Sequence, residues 1–314
     1  MSQALILKQQ VPKLTQPVAM LDYLAQRFTY KTTAEWSEQM EQGCLRLDGA
    51  IMRRSATLQG GEVLEYQPLP FAEPPVNTNY SIIHEDDDLL VVGKPAPIPM
   101  MSIRKYHQHS LLILLERDFP NLKLFPAHRL DMETTGVVIF AKNSAAASHM
   151  GKQFLIKNVH KTYLAWVHGL FPKDLKFLKS FLQRLPNRPH FIEAESGLPA
   201  ETLVECLEFH NNLSLLELKP LTGRTHQLRV QLSGKGFPIV GDKRYTDYPH
   251  CLDEFLQKGM SESLLQKLGA DRQLLHAWKI SFTHPNGNET EFEAPLPEDF
   301  KSVPRAGLEP ARTV

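Results

Sequence analysis

Pro68, Pro70, Pro74 and Pro75 fall within eight positions, and this cluster constrains the chain more than any other feature. Proline fixes φ, has no amide proton and biases the residue before it toward extended backbone. Neither a helix nor a central strand can run through such a stretch, so it reads as an extended linker between two separately folded pieces. The 314 residues would suit about two domains of roughly 150 residues, but the prolines divide them unequally. A small domain is expected over 12–68, a proline-rich linker over 69–79, a large domain over 80–300 and a disordered tail over 301–314.

Before the prolines, Val18, Leu21, Leu24, Ala25 and Phe28 recur on one helical stripe. A second helix is predicted from Ala34 to Gln42, with Trp36 and Met40 inward and Gly43 just past its end. In "CLRLDGAIM", Asp48-Gly49 is a two-residue hairpin signal, and "GGEVLEY" supplies one more strand. This is a small α/β unit. After the prolines, "LLVVGK" (89–94), "GVVIFAK" (136–142), "TYLAWVHG" (162–169), "LSLLELKPL" (213–221) and "KISFTHP" (279–285) read as strands. Residues 144–157 read as a helix with Ala147, Met150, Phe154 and Leu155 inward, and "THQLRVQLSGKG" as a helix ended by Gly234 and Gly236. Strands dominate without a regular βαβ rhythm, so the large domain is predicted to be α+β with a mixed sheet.

Hydrophobic residues are 42% of the chain and charged residues 22%, enough apolar content for a sizeable core. The 35 basic residues balance 35 acidic ones, which excludes a surface coated in positive charge but not a local basic cleft. Cys44, Cys206 and Cys251 are scattered and read as free thiols in a reducing cytoplasm. No apolar run approaches the ~18 residues of a membrane span. The N-terminus lacks a signal peptide's basic start and apolar block. A cytoplasmic location without a membrane partner is therefore expected.

Two stretches carry chemistry. "AHRLDMETTGVVIFAK" (127–142) sets the ionisable Asp131 at the lip of an apolar run. A catalytic loop feeding a core strand would read this way, and so would an ordinary turn. "HRLD" differs from a kinase loop because Leu130 separates Arg129 from Asp131, and no Gly-rich loop or D-F-G accompanies it. Asp131 and Glu133, two residues apart, are no special glycosidase signal. His107 and His109 form only an H-x-H pair, so no metal site is assigned. The second stretch is "PLTGRTHQLRVQLSGKGFPIVGDKRY" (220–245). A helix starting near Thr225 with Arg224 would suit a phosphate, and Arg229 could fork onto a carboxylate. A solvated helix start fits equally well. "IRKYHQHS" (103–110) gathers basic and aromatic groups, and a solvated loop is nearly as good a reading of it.

Taken together, these stretches resemble the RluA-type pseudouridine synthase family. Its H-R-L-D-x-x-T-S-G stretch is matched by His128, Arg129, Leu130, Asp131, Thr134 and Gly136. Its T-G-R-x-H-Q-[IL]-R stretch is matched from Thr222 through Arg229, and K-x-Y-L-A by Lys161, Tyr163, Leu164 and Ala165. Lys94-Pro95-Ala96, "GDKRY", "LHA" and "FTHP" follow in the family's order, and the likeness spans roughly residues 80–300. The unit before the prolines resembles an S-four-type RNA-binding domain: two helices, Gly43, a strand, Asp48-Gly49, then Leu58 to Val63. Three positions depart from the family: Thr135 replaces a usual Ser, Gln231 a common His and Pro97 a frequent Gly.

The resemblance implies a largely antiparallel sheet with flanking helices and a central cleft. It implies an RNA isomerase that turns a stem-loop uridine of ribosomal or transfer RNA into pseudouridine. Asp131 would be the catalytic carboxylate, Arg229 its neighbour, and Tyr163 the aromatic packed on the target base. His128, Arg129, Thr134, Lys161, Arg224, His226 and Gln227 would bind substrate. Nothing is oxidised in that reaction, so no cofactor is expected, and the chain is expected to act as a monomer. Two other readings are a non-catalytic RNA-binding or RNA-chaperone protein on this fold, and a hydrolase of a nucleoside or sugar bond.

Overall fold

The computed structural model describes residues 6–301, except 30, 54, 70, 71, 104, 105 and 186–189. The expected tail beyond 301, and Arg104 and Lys105 of the basic loop, lie outside the described residues. The chain forms two compact units, one reaching Pro74 and including 103–107, the other made of the remainder.

In the first unit, helices Met20–Arg27 and Thr33–Glu41 pack beside a four-stranded antiparallel sheet. Thr32 and Glu35 cap the second helix reciprocally, which satisfies two amides that the helix start would leave bare. The hairpin joins Leu45–Leu47 to Ala50–Ile51, with Asp48 and Gly49 both at positive φ, 47° and 85°. That is the conformation a two-residue hairpin turn demands. Met20, Leu24, Trp36, Leu45 and Leu58 form the core and are at most 1% exposed. The unit begins earlier than the expected residue 12, because the strand Leu7–Gln10 pairs with Val63–Tyr66.

The second unit is built on an eleven-stranded, almost wholly antiparallel sheet. Its start overlaps the expected linker: Val76 packs on the core, and the Asn77 amide donates to Pro97 O at 2.9 Å. The strand Thr135–Ala141 lies inside the sheet and is buried along its whole length. An unbroken apolar run, rather than an alternating one, needs cover on both faces. Helices Leu111–Asp118 and Ser144–Leu155 contribute to the core around this strand. Its first residues pair in parallel with Leu275–Thr283, while its last pair with Phe125–Pro126. Gly136 sits at φ 123°, where a Cβ would collide with the Ala277 carbonyl, so only glycine permits this approach.

Several elements depart from the sequence expectation. Leu155 is 81% exposed, because one step around the helix from Phe154 carries it off the inward face. The helix expected from Thr225 runs over Gln227–Gly234, behind His226 in the left-handed region at φ 56°. Strands Phe177–Arg184, Phe191–Ala194, Leu198–His210 and Glu289–Glu293 extend the sheet beyond those expected. In Leu198–His210 the core side carries Ala200, Thr202, Val204 and Cys206, but Leu203 and Leu207 are exposed on the other side. Apolar residues on both faces blur the two-residue period. The last helix, Glu298–Lys301, extends one residue into the expected tail. Among the described residues, no helix is long and apolar enough to cross a membrane.

Candidate active site

The segment after Phe125–Pro126 folds back along the central strand. The Ala127 amide donates to Ile139 O at 2.9 Å, and the Ile139 amide donates to His128 Nε2 at 3.2 Å. Leu130 plugs into the core, and the Thr134 amide closes a turn onto Asp131 O at 3.1 Å. The turn presents Asp131 to a cavity of about 280 Å³. His128, Arg129, Asp131, Thr134, Lys161, Tyr163, Arg224, His226, Gln227 and Arg229 all line that cavity.

Arg229, on the buried helix Gln227–Gly234, organises the charges. Its Nη1 donates to Asp131 Oδ2 at 2.7 Å. Its Nε and Nη2 fork onto the fully buried Asp242 at 2.7 and 2.9 Å. Burial alone would push the Asp131 carboxyl up, but the Arg229 guanidinium outweighs it and holds the acid below its usual range. Asp242 is held low in the same way, against burial, by Arg229. Asp242 also accepts the amides of Arg244 and Tyr245, so its carboxylate is fixed before it meets the guanidinium. Gly241 precedes it at φ 80°, where a Cβ would strike the Arg272 carbonyl.

Tyr163 enters from the strand His160–His168. The register of that strand against Leu275–Thr283 slips between Thr162 and Tyr163, a bulge of the kind that re-aims a side chain. Burial, and then the Asp131 charge, push the Tyr163 phenol well above its ordinary range, so it keeps its proton. His226 stands with Nε2 3.8 Å from Asp131 Oδ1 and is held neutral, down to about 4, chiefly by burial.

Several other lining residues, Thr134, Arg224 and Gln227 among them, spend their side chains on partners inside the protein. His128 is pushed down to about 3 by burial and by Lys161, and its ring lies 5.6 Å from Phe154. Thr134 accepts from Gln273 Nε2 at 2.6 Å. Gln227 accepts from Thr222 Oγ1 and donates to Glu201 O. Arg224 Nε donates to Pro199 O at 3.2 Å. Burial lowers the Lys161 ammonium. Arg129 is exposed at the lip. Gln231, where the family commonly has His, bolts the helix to two strands: it accepts from Thr202 Oγ1 and donates to Ala200 O on Leu198–His210, and donates to Ser180 Oγ on Phe177–Arg184.

A second group lies behind the turn and has no signal in the sequence beyond the short stretches named above. Lys94 is 2% exposed and donates to the carbonyls of Pro95, Met132 and Thr134 at 3.0, 3.0 and 2.8 Å. Arg272 Nη1 donates to Glu133 O at 3.2 Å while Asp299 holds its other face at 2.6 and 2.8 Å. Lys243 Nζ meets Glu133 Oε1 at 2.7 Å. Nothing in residue spacing gives Asp242, Arg272 or Asp299 its partner, since each meets residues distant along the chain.

Among the described residues, one cluster, His84, Asp86 and His284, has the donor types and closeness of a metal site. Each ring's Nε2 lies 2.9 Å from Asp86 Oδ2. The Asn286 amide donates to His284 Nδ1, which leaves Nε2 as the ring nitrogen facing Asp86. Those groups form a His–Asp–His cluster, and none of them lines the cavity.

The family model for RNA pseudouridylate synthase matches residues 88–234. Ribosomal large subunit pseudouridine synthase D of Haemophilus ducreyi is 31% identical over 88% of this chain and 87% of its own length. Dual-specificity RNA pseudouridine synthase RluA of Escherichia coli is 35% identical over 71% of this chain and 95% of its own. The solved human RNA pseudouridylate synthase domain containing 1 superposes with a TM-score of 0.58 at 28% identity, over 72% of this chain and 87% of that one. With this level of identity over nearly the full length of such relatives, the chain belongs to the RluA-type RNA pseudouridine synthase family, whose members are isomerases.

Proposed function

We propose that the cavity takes up one uridine of a structured ribosomal or transfer RNA and isomerises it with Asp131 as the catalytic carboxylate. The observation that carries this reading is the Asp131–Arg229–Asp242 chain: a carboxylate kept ionised inside a cavity of about 280 Å³. The bond between uracil N1 and the ribose carbon breaks, the base turns, and its C5 bonds to that carbon. The proton lost from C5 is balanced by one gained at N1, so no oxidant and no cofactor are needed. Asp131 either attacks the ribose carbon or takes the neighbouring sugar proton, and both roles need its negative charge. Tyr163, protonated and beside Asp131, packs on the base and offers its hydroxyl for the proton movement. His128, Arg129, Thr134, Lys161, Arg224, His226 and Gln227 shape the substrate contacts around it.

The target must leave its stack, at a cost of a few kcal/mol, and an unpaired loop makes that easier. The first unit reads as an S-four-like RNA-binding domain that adds affinity without chemistry. Its helix pair and Asp48–Gly49 hairpin in a separate compact unit support this. The protein is read as a cytoplasmic monomer, and its buried free thiols Cys44, Cys206 and Cys251 suit a reducing compartment. A purely RNA-binding protein would gain nothing from a buried carboxylate facing phosphates.

The test is direct. Chelator-treated protein is incubated with total RNA from cells lacking the gene, and pseudouridines are mapped. A new pseudouridine is expected with the wild type and none with Asp131→Asn, which should still bind the RNA. No new pseudouridine in any RNA class would overturn the reading.

A further inference from the structure

Beyond the amide it gives to Asp242, Tyr245 has a side chain that touches both Arg229 and His226, the two residues set against the Asp131 carboxylate. It is 4% exposed, and the Arg229 guanidinium carbon lies 5.0 Å from the centre of its ring. Its hydroxyl oxygen accepts the Phe191 amide at 3.1 Å, and His226 Nδ1 stands 2.7 Å from the same oxygen. An amide can only donate. The hydroxyl proton is therefore left to point at Nδ1, the one ring nitrogen in reach among the described residues. In the opposite arrangement Nδ1 would donate, and the hydroxyl proton would be buried with no acceptor among the described residues.

A neutral imidazole whose Nδ1 accepts carries its proton on Nε2. That nitrogen lies 3.8 Å from Asp131 Oδ1, the carboxylate oxygen that Arg229 does not bind. The gap is too wide for the proton to be spent on Asp131. The ring is aimed there by a backbone in the left-handed region, φ 56°, which few residues other than glycine adopt. Uracil and ribose both present acceptor oxygens to a donor at this place.

We propose that Tyr245 is a positioning residue that holds His226 in its Nε2–H form, so that the ring donates to an oxygen of the target nucleotide beside the free oxygen of Asp131. This rests on the synthase reading of the cavity. It predicts that the Tyr245 hydroxyl matters only through His226. A glutamine at 226 carries an amide N–H that needs no choice between tautomers, so it should be indifferent to the hydroxyl.

Nitrogen NMR of the free protein labelled in histidine distinguishes the two ring forms without any RNA. The wild type is expected to show a bare Nδ1 and a protonated Nε2 at His226, and Tyr245→Phe a mixture. With substrate RNA at saturating enzyme, Tyr245→Phe should slow the single-turnover step by about tenfold, a change of about 1.4 kcal/mol, and leave the RNA Kd unchanged. In a His226→Gln background the same Tyr245→Phe change should have no further effect. Equal losses from Tyr245→Phe in both backgrounds would mean that it acts on packing alone and would overturn the proposal, as would a His226 proton found on Nδ1. A wild type that makes no pseudouridine would overturn the synthase reading instead and leave the tautomer result standing.

Discussion

The turn 131–134 is held from two sides, and the two sides use charge differently. On the cavity side, Arg229 is shared between the carboxylates of Asp131 and Asp242, so side chains oppose side chains. Behind the turn, Lys94 and Arg272 direct their protons at backbone carbonyls of Met132, Glu133 and Thr134. The first arrangement sets how acidic Asp131 is and which of its oxygens is free. The second fixes where the turn lies and leaves the charge of the carboxylate to others. Buried cations thus do two separable jobs within a few residues of each other, which gives each side its own experimental signature.

The largest effect is expected within the cavity. Tyr163→Phe removes only a hydroxyl, and if that group moves a proton the single-turnover rate should fall by ~10²–10⁴-fold. A near-normal rate would leave the ring as a stacking surface only. Next, Asp242→Asn weakens the grip on Arg229 and lets the guanidinium drift. A misplacement of about 1 Å is worth roughly 10²-fold in rate, so turnover should drop by that order with RNA affinity largely kept. An unchanged rate would mean that Asp131 alone orients Arg229.

Behind the turn, changes should register first as stability. Lys94→Met takes a donor from three carbonyls, of which Met132 O keeps the Ile98 amide and Thr134 O is fully buried; an unmet buried acceptor costs about 1–3 kcal/mol, so a loss of that order in urea unfolding is expected. It should also alter the pH dependence. Burial lowers the Lys94 ammonium from 10.5 to about 7. Between those values the unfolded chain binds more protons than the folded one. Lys94 therefore makes the fold more stable as pH rises across that window, by at most about 1.4 kcal/mol per pH unit. Comparing unfolding at pH 7.5 and 9.5 should show a flatter slope in Lys94→Met. An identical slope would mean that Lys94 titrates normally. The smallest effect is expected from Asp299→Asn. Its carboxylate is 48% exposed, and such pairs are worth ~1 kcal/mol or less, so kcat should fall by about fivefold at most, with KM unchanged. A larger fall would give the last helix a greater part in holding the turn.

The two sides also differ in how far they could be read from the residues. His128, Asp131, Tyr163, Arg224, His226 and Arg229 stand in stretches dense with polar groups, and they converge on one cavity. Asp242 and Lys94 lie in short stretches whose family likeness marks a position but not a partner. Arg272 and Asp299 carry no mark at all. The elements divide in the same way. The Asp48–Gly49 hairpin follows from local turn chemistry, whereas the strand Leu198–His210 is masked by apolar side chains on its outer face.

The amino-acid order by itself determined what depends on neighbours along the chain. Four prolines had to interrupt regular structure, and the unbroken run from Val137 to Phe140 had to be covered on both faces, which puts Asp131 at the edge of a core strand. The preferences behind these outcomes, φ restriction and apolar continuity, act over a few residues. Tertiary structure decided the partners that no stretch of sequence marked: Arg229 also grips Asp242, Lys243 reaches the Glu133 carboxylate across 110 positions, and Arg272 reaches the Glu133 carbonyl across 139. A buried cation is satisfied by whatever acceptors the packed sheet and helices bring within about 3 Å, and that distance has no counterpart in spacing along the chain.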